Sequence, residues 1–193
     1  HDDQHGTAVV STAALMVATR ETGMDLNKAV VGQIGLGAAG HAIGKMVMRL
    51  TGNPVYGADL SPEALSRFES SGGIKSGLKE IMAKCDIVVA TTGAPNLIKP
   101  EMVRKGQIIL ALSNPNAEID PDVAMEHGAA FAANGKFATI GSLMAAEDAA
   151  AAHGIGVTTF DLDTEGKPAT AVRKVQDALA QTTQTMRDVL ARF

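Results

Sequence analysis

Three glycines carry the clearest chemistry in this chain. Gly35, Gly37 and Gly40 stand in the string Gly35-Leu36-Gly37-Ala38-Ala39-Gly40. Glycines at that spacing let the backbone turn tightly, approach a diphosphate closely and bring a helix against a strand. The pattern has meaning only where it leaves a strand and opens a helix, and here an apolar run at 29–34 precedes it while 38–50 has helical periodicity. The first N–H groups of such a helix, from Ala38 and Ala39 onward, have no partners within the helix and favour an anion. Asp59 follows about 20 residues beyond the turn, at the end of a second apolar run (55–58), where a carboxylate accepts from the hydroxyls of an adenosine ribose. The pyrophosphate of NAD is the ligand this set implies. The same carboxylate repels a 2′-phosphate, and Leu60-Ser61-Pro62 brings no arginine or lysine to offset it, so NAD is favoured over NADP.

The elements that must hold these residues alternate along the chain. An Ala- and Val-rich stretch at 6–22 reads as a buried helix stopped by Gly23. Ser61-Pro62-Glu63 opens another helix with a hydroxyl cap, a proline and an acid. Helices near 77–83, 100–104 and 121–126 alternate with apolar runs at 86–90, 107–112 and 129–133. Continuous apolar strands each followed by a helix describe an α/β fold: a Rossmann-type doubly wound, mainly parallel sheet with helices on both faces. Such a sheet exposes ligand groups at the carboxyl ends of its strands, where Thr91-Thr92-Gly93-Ala94-Pro95 and Ser113-Asn114-Pro115-Asn116 fall. Both segments are also ordinary turn sequences. Beyond 135 the chain reads as mostly helical, with an Ala-heavy stretch at 145–152. A final helix lines up Val172, Val175, Leu179, Met186, Val189 and Phe193 on one stripe, suited to core or subunit packing. One domain over 1–193 is expected, with an opening helix (1–28), a dinucleotide-binding core (29–135) and a divergent, mostly helical C-terminal region (136–193).

Composition narrows the partners. With 193 residues, 46% of them hydrophobic, there is material for a single core. A net charge of −4 supplies no electrostatic footprint for nucleic acid or an anionic membrane, and no apolar run approaches the roughly 18 residues of a membrane span. Cys85 is the sole cysteine, so no internal disulfide forms; beside Ile87-Val88-Val89 it reads as a buried thiol packing as a small hydrophobe. A reducing cytoplasm fits. Four of the five histidines, His5, His41, His127 and His153, are scattered without metal-ligand spacing. The chain begins at His1 without a signal peptide and reads as a fragment.

The string His1-Asp2-Asp3-Gln4-His5-Gly6-Thr7-Ala8, followed in order by the glycine turn and Ala111-Leu112-Ser113-Asn114-Pro115, resembles the malic enzyme family through about Ala133. The resemblance implies a C-terminal NAD-binding domain separated from its N-terminal substrate domain. The activity implied is oxidation of malate with NAD(P) and decarboxylation to pyruvate, with Mg or Mn on the substrate oxygens stabilising the enolate. It also implies Asp3 as a metal ligand, Asp2 in support of proton transfer, Asn114 against substrate or the nicotinamide ribose, and Thr92 and Gly93 lining the cofactor. A homo-oligomer is implied as well. The family's catalytic tyrosine and lysine and its Glu-Asp metal pair lie upstream of His1, so the isolated chain should bind NAD without turnover. Its substrate-binding Asn-Asn pair is not matched at Asn134-Gly135-Lys136. Read without the resemblance, Asp2 and Asp3 precede a helix and could simply favour its dipole. Two other readings stay open: another NAD-dependent dehydrogenase of amino-acid or folate type, and a non-catalytic NAD-sensing module.

Overall fold

A computed structural model of the chain describes residues 2–135 and, within the first helix, side chains from Thr7 onward. The elements are α1 (Asp2–Thr22), β1 (Val31–Ile34), α2 (Ala38–Thr51), β2 (Tyr56–Ala58), α3 (Pro62–Ser70), β3 (Ile74–Lys75), α4 (Leu78–Lys84), β4 (Ile87–Ala90), a 3-10 turn (Pro100–Met102), β5 (Ile108–Ala111), α5 (Pro121–Glu126) and β6 (Phe131–Asn134). The expected stripe at Val172–Phe193 and the Ala-heavy stretch at 145–152 lie outside the described residues.

All strand pairs are parallel, in the order β3-β2-β1-β4-β5-β6. The alternating reading of the sequence therefore gives the expected doubly wound sheet. Its strand order reverses direction between β1 and β4, which opens a crevice at that point. Residues of the central strands alternate between two cores. Ile87, Val89, Ile108 and Leu110 face the side covered by α1, α2 and α3. Val88, Ala90, Ile109 and Ala111 face α4 and α5. Every residue of β1, β4 and β5 is buried, which is why β4 and β5 read as unbroken apolar runs and β1 as one interrupted by Gln33.

The small residues set how closely helices approach the sheet. Phe68 of α3 is fully buried against Gly44 of α2 and Gly57 of β2, where a Cβ would stand 2.5 Å from its ring atoms. Without those glycines α3 could not seat at this depth.

Three elements differ from the expectation. β3 has no apolar run: both residues are exposed and sit between Gly72-Gly73 and Ser76-Gly77. An edge strand this short is held by its backbone bonds to β2, not by burial. The first helix starts at Asp2, so Asp2 and Asp3 lie in its first turn instead of before it; their side chains lie outside the described residues. The expected helix at 100–104 shortens to a single 3-10 turn.

Candidate functional site

The register brings the strand ends level. Ile34 pairs with Ala58 and Ala90, Ala90 with Ala111, and Ala111 with Asn134. Gly35, Asp59, Thr91 and Leu112 consequently leave the sheet along one edge, the carboxyl edge, with the crevice between the first and third of them.

The glycine turn is fixed by contacts that forbid side chains. Gly35 has φ +85°, and a Cβ there would meet the Thr91 carbonyl at 2.6 Å. A Cβ at Gly40 would collide with the Gly35 carbonyl oxygen and approach Thr91 Oγ1 at 2.7 Å. Gly37 differs. It is exposed, and a Cβ there would meet no described atom within 4 Å, so the space over it is open. Gly37 is also the N-cap of α2, with no side-chain cap and no acid in the first turn. No acceptor among the described residues meets the amides of Gly37, Ala38 or Ala39. By contrast Ser61 caps α3 through Ala64 N, and Asp120 caps α5 through Asp122 N and Val123 N. Bare amides at a helix N-terminus facing open space form a cradle that suits a diphosphate.

Gln33 and Asp59 hold the turn from either side. Buried Gln33 donates through Nε2 to the carbonyls of Ile34 (3.2 Å) and Gly35 (3.1 Å) and to Thr91 Oγ1 (3.0 Å). It is a polar residue inside an apolar strand whose job is visible only once β1 and β4 are adjacent. Half-buried Asp59 accepts from Leu36 N at 2.6 Å and from Ser61 N at 2.8 Å. Each oxygen keeps a second lone pair for a further donor such as a ribose hydroxyl. Next to it Leu60 is fully exposed.

The structure also brings in a cation that the local reading of Leu60-Ser61-Pro62 missed. Arg67, on α3, reaches the glycine turn and donates from Nη2 to the Leu36 carbonyl at 3.4 Å. It is eight positions past Asp59, two helical turns away in α3, and only the packing of α3 on α2 aims it back. His41, one residue past the third glycine, lies edge-on to Phe68. Burial, then the positive charges of Arg67 and Lys45, hold its pKa below the ordinary histidine value.

On the other side of the crevice lie Thr92 and Gly93 after β4, and Ser113 and Asn114 after β5. These loops meet: Gly93 N donates to Ser113 Oγ at 2.8 Å. Asn114 is exposed, and its amide packs against Gly135, where a Cβ would stand 2.9 Å from Nδ2. Beneath them is Glu118, a fully buried acid absent from the sequence-based candidates. It accepts from Thr92 N (2.6 Å), Thr92 Oγ1 (2.8 Å), Ser113 Oγ (2.5 Å) and Ser113 N (3.4 Å). The signal in the sequence is slight: a single acid between Ala117 and Ile119. Cys85 lies far from this edge, packed under Gly32 at the other end of β1; burial pushes its thiol up to about 12, so it stays protonated and inert near neutrality.

Among the described residues no group of three or more His, Cys, Asp or Glu is placed to hold a metal ion. Nor is any described helix long and apolar enough to cross a membrane.

No family model matches the chain. It is 58% identical over 137 residues to the NAD-dependent malic enzyme 1 of Bacillus subtilis, covering 70% of this chain and 31% of that protein. It is 30% identical over 140 residues to the NADP-dependent malic enzyme of Halomonas elongata, covering 65% of this chain and 33% of that protein. Among solved structures, the NAD-dependent malic enzyme of Thermotoga maritima superposes with a TM-score of 0.61 at 25% identity, over 95% of this chain and 58% of that one. The chain thus spans about a third of the length of these curated relatives.

Proposed function

Because the chain belongs to the malic enzyme family, we propose that it is a single NAD-binding unit of a protein that oxidises malate and decarboxylates the product to pyruvate. The observation that carries this reading is the bare N-terminus of α2 over the open face of Gly37, with Asp59 pinned beside it. Bound there, NAD supplies the acceptor for a hydride from the hydroxyl-bearing carbon of the substrate. The amides from Gly37 to Ala39 face the pyrophosphate, with Gly35 and Gly40 supplying the tight packing that holds them. Asp59 accepts from the adenosine ribose, and exposed Leu60 gives the adenine an apolar face. Thr92, Gly93 and Asn114 line the nicotinamide side.

NAD is preferred to NADP because the Asp59 carboxylate would repel a 2′-phosphate, while the nearby cation, exposed Arg67, is engaged with the Leu36 carbonyl. For the metal, the described residues make no site by themselves. We assign Asp3 one oxygen on Mg or Mn, completed by carboxylates from the rest of the protein, and Asp2 a part in proton transfer; both assignments rest on the family resemblance. The lone, buried thiol suits a cytoplasmic protein, and a homo-oligomer follows the family.

Calorimetric titration tests the reading directly. The chain should give saturable heat with NAD and a weaker response with NADP. Absence of any heat at millimolar NAD would overturn it. For the whole protein, pyruvate should form from malate in the presence of Mn and NAD.

A further inference from the structure

The loops after β4 and β5 share one buried acid, and the connections to it are unusually complete. Thr92 N–H reaches Glu118 directly. Gly93 N–H reaches it through one hydroxyl, since Ser113 Oγ accepts from Gly93 and donates to Glu118. Ala94 N–H also reaches it through one hydroxyl: Thr92 Oγ1 accepts from Ala94 at 3.1 Å and donates to Glu118. Three consecutive amides of one loop and a hydroxyl of the other therefore end on the same carboxylate. Glu118 is at the same time anchored by its own backbone, whose carbonyl accepts from Ile98 N at 3.0 Å.

A fully buried carboxylate is costly to keep unless its lone pairs are satisfied, so a purely structural tie between two loops would be served more simply by apolar packing. What the acid adds is direction. Both hydroxyl hydrogens point inward at Glu118, which leaves Thr92 and Ser113 able to offer only lone pairs to anything in the crevice. No amide from Thr92 to Ala94 remains free to compete for the ligand. The result is a rigid wall of hydrogen-bond acceptors, already ordered before a ligand arrives, which reduces what binding must spend on ordering loops.

We propose that Glu118 is a positioning residue for the nicotinamide half of the cofactor, setting the Thr92-Gly93 and Ser113-Asn114 loops so that they receive its donor groups. This rests on the NAD reading above, and the test separates the two. NAD and ADP share the adenosine and pyrophosphate that the glycine turn and Asp59 would hold; only NAD carries the ribose and ring that reach the β4–β5 loops.

The experiment is calorimetry of both ligands on the chain and on its Ser113→Ala, Glu118→Gln and Glu118→Ala variants, each verified as folded by circular dichroism. Loss of hydrogen bonds to a charged group should weaken NAD about tenfold in Ser113→Ala and Glu118→Ala while ADP stays within about twofold of the parent. Glu118→Gln should lie between parent and Glu118→Ala, because its amide oxygen can still take the three short donors while its NH2 faces Ser113 N–H. If Glu118→Ala does not fold, the surface-side Ser113→Ala variant decides alone. Equal weakening of both ligands, or no change in NAD affinity, would overturn the proposal. A parent chain that binds ADP and NAD keeps the cofactor reading intact in either case; a parent that binds neither removes that reading and this inference with it.

Discussion

On the β1–β2 side of the carboxyl edge the glycine turn leaves its helix amides without acceptors; on the β4–β5 side three successive amides are already consumed by Glu118. The two regions sit side by side on one sheet and solve opposite problems. A diphosphate is a strong acceptor with negative charge, so the first region keeps donors bare and removes every Cβ that would block them. A nicotinamide ring, cationic in NAD and neutral once reduced, would offer no anion for bare amides to hold, and the second region has its donors tied up internally and presents a fixed wall of acceptors. Preorganisation is therefore carried by backbone geometry on one side and by a buried side chain on the other. Breaking each should have a different signature.

The largest effect should come from Gly40→Ala. Its Cβ would collide with the Gly35 carbonyl, which cannot yield without moving the turn, and overpacking of this kind costs about 1–3 kcal/mol. Thermal denaturation should show that loss, and calorimetry should find both NAD and ADP binding abolished together. Asp59→Ala comes next. It strips the acceptor from Leu36 N and from the ribose, weakening both ligands by roughly ten- to a hundredfold and narrowing the gap between NAD and NADP. If the NADP affinity fell in parallel with NAD, the assignment of Asp59 to the 2′-hydroxyl would be wrong.

Thr92→Val probes the other region with little change in shape. It removes one donor to Glu118 and leaves Ala94 N–H without its acceptor, which should lower stability in urea denaturation by about 1–3 kcal/mol. ADP binding should not change, and a change there would blur the distinction between the two regions. Leu60→Ser should have the smallest effect. Leu60 is exposed before binding, so stability should hold, while lost apolar contact with adenine weakens NAD about fivefold, or about 1 kcal/mol. Equilibrium fluorescence titration would resolve that difference.

These regions also differ in how far they could be read from the chain. The glycine turn is local: a strand, a turn and a helix within 20 residues, each enforced by its own residue types, with Asp59 at a spacing set by one helix and one strand. Its geometry follows from backbone sterics, and sequence expresses those directly as glycine. Two details on that side still escaped. β3 is held by hydrogen bonds of an exposed edge and leaves no hydrophobic pattern. Arg67 depends on how α3 packs on α2, with Phe68 seated over Gly44 and Gly57.

Glu118 lies 26 residues from Thr92 and on a different strand's loop, and in the sequence it is one acid among 21 Asp and Glu. Nothing local marks it as buried. Gln33 is similar: a polar residue in an apolar run whose side-chain acceptor, Thr91 Oγ1, comes within reach only when β4 lies beside β1. By itself, then, the sequence determined the fold class, the glycine turn and the place of the acid beside it, because hydrophobic periodicity and glycine sterics act over short distances along the chain. Only the tertiary structure decided which polar side chains would be buried and shared between loops, because a hydrogen bond across the sheet requires parallel strands to be brought into register first.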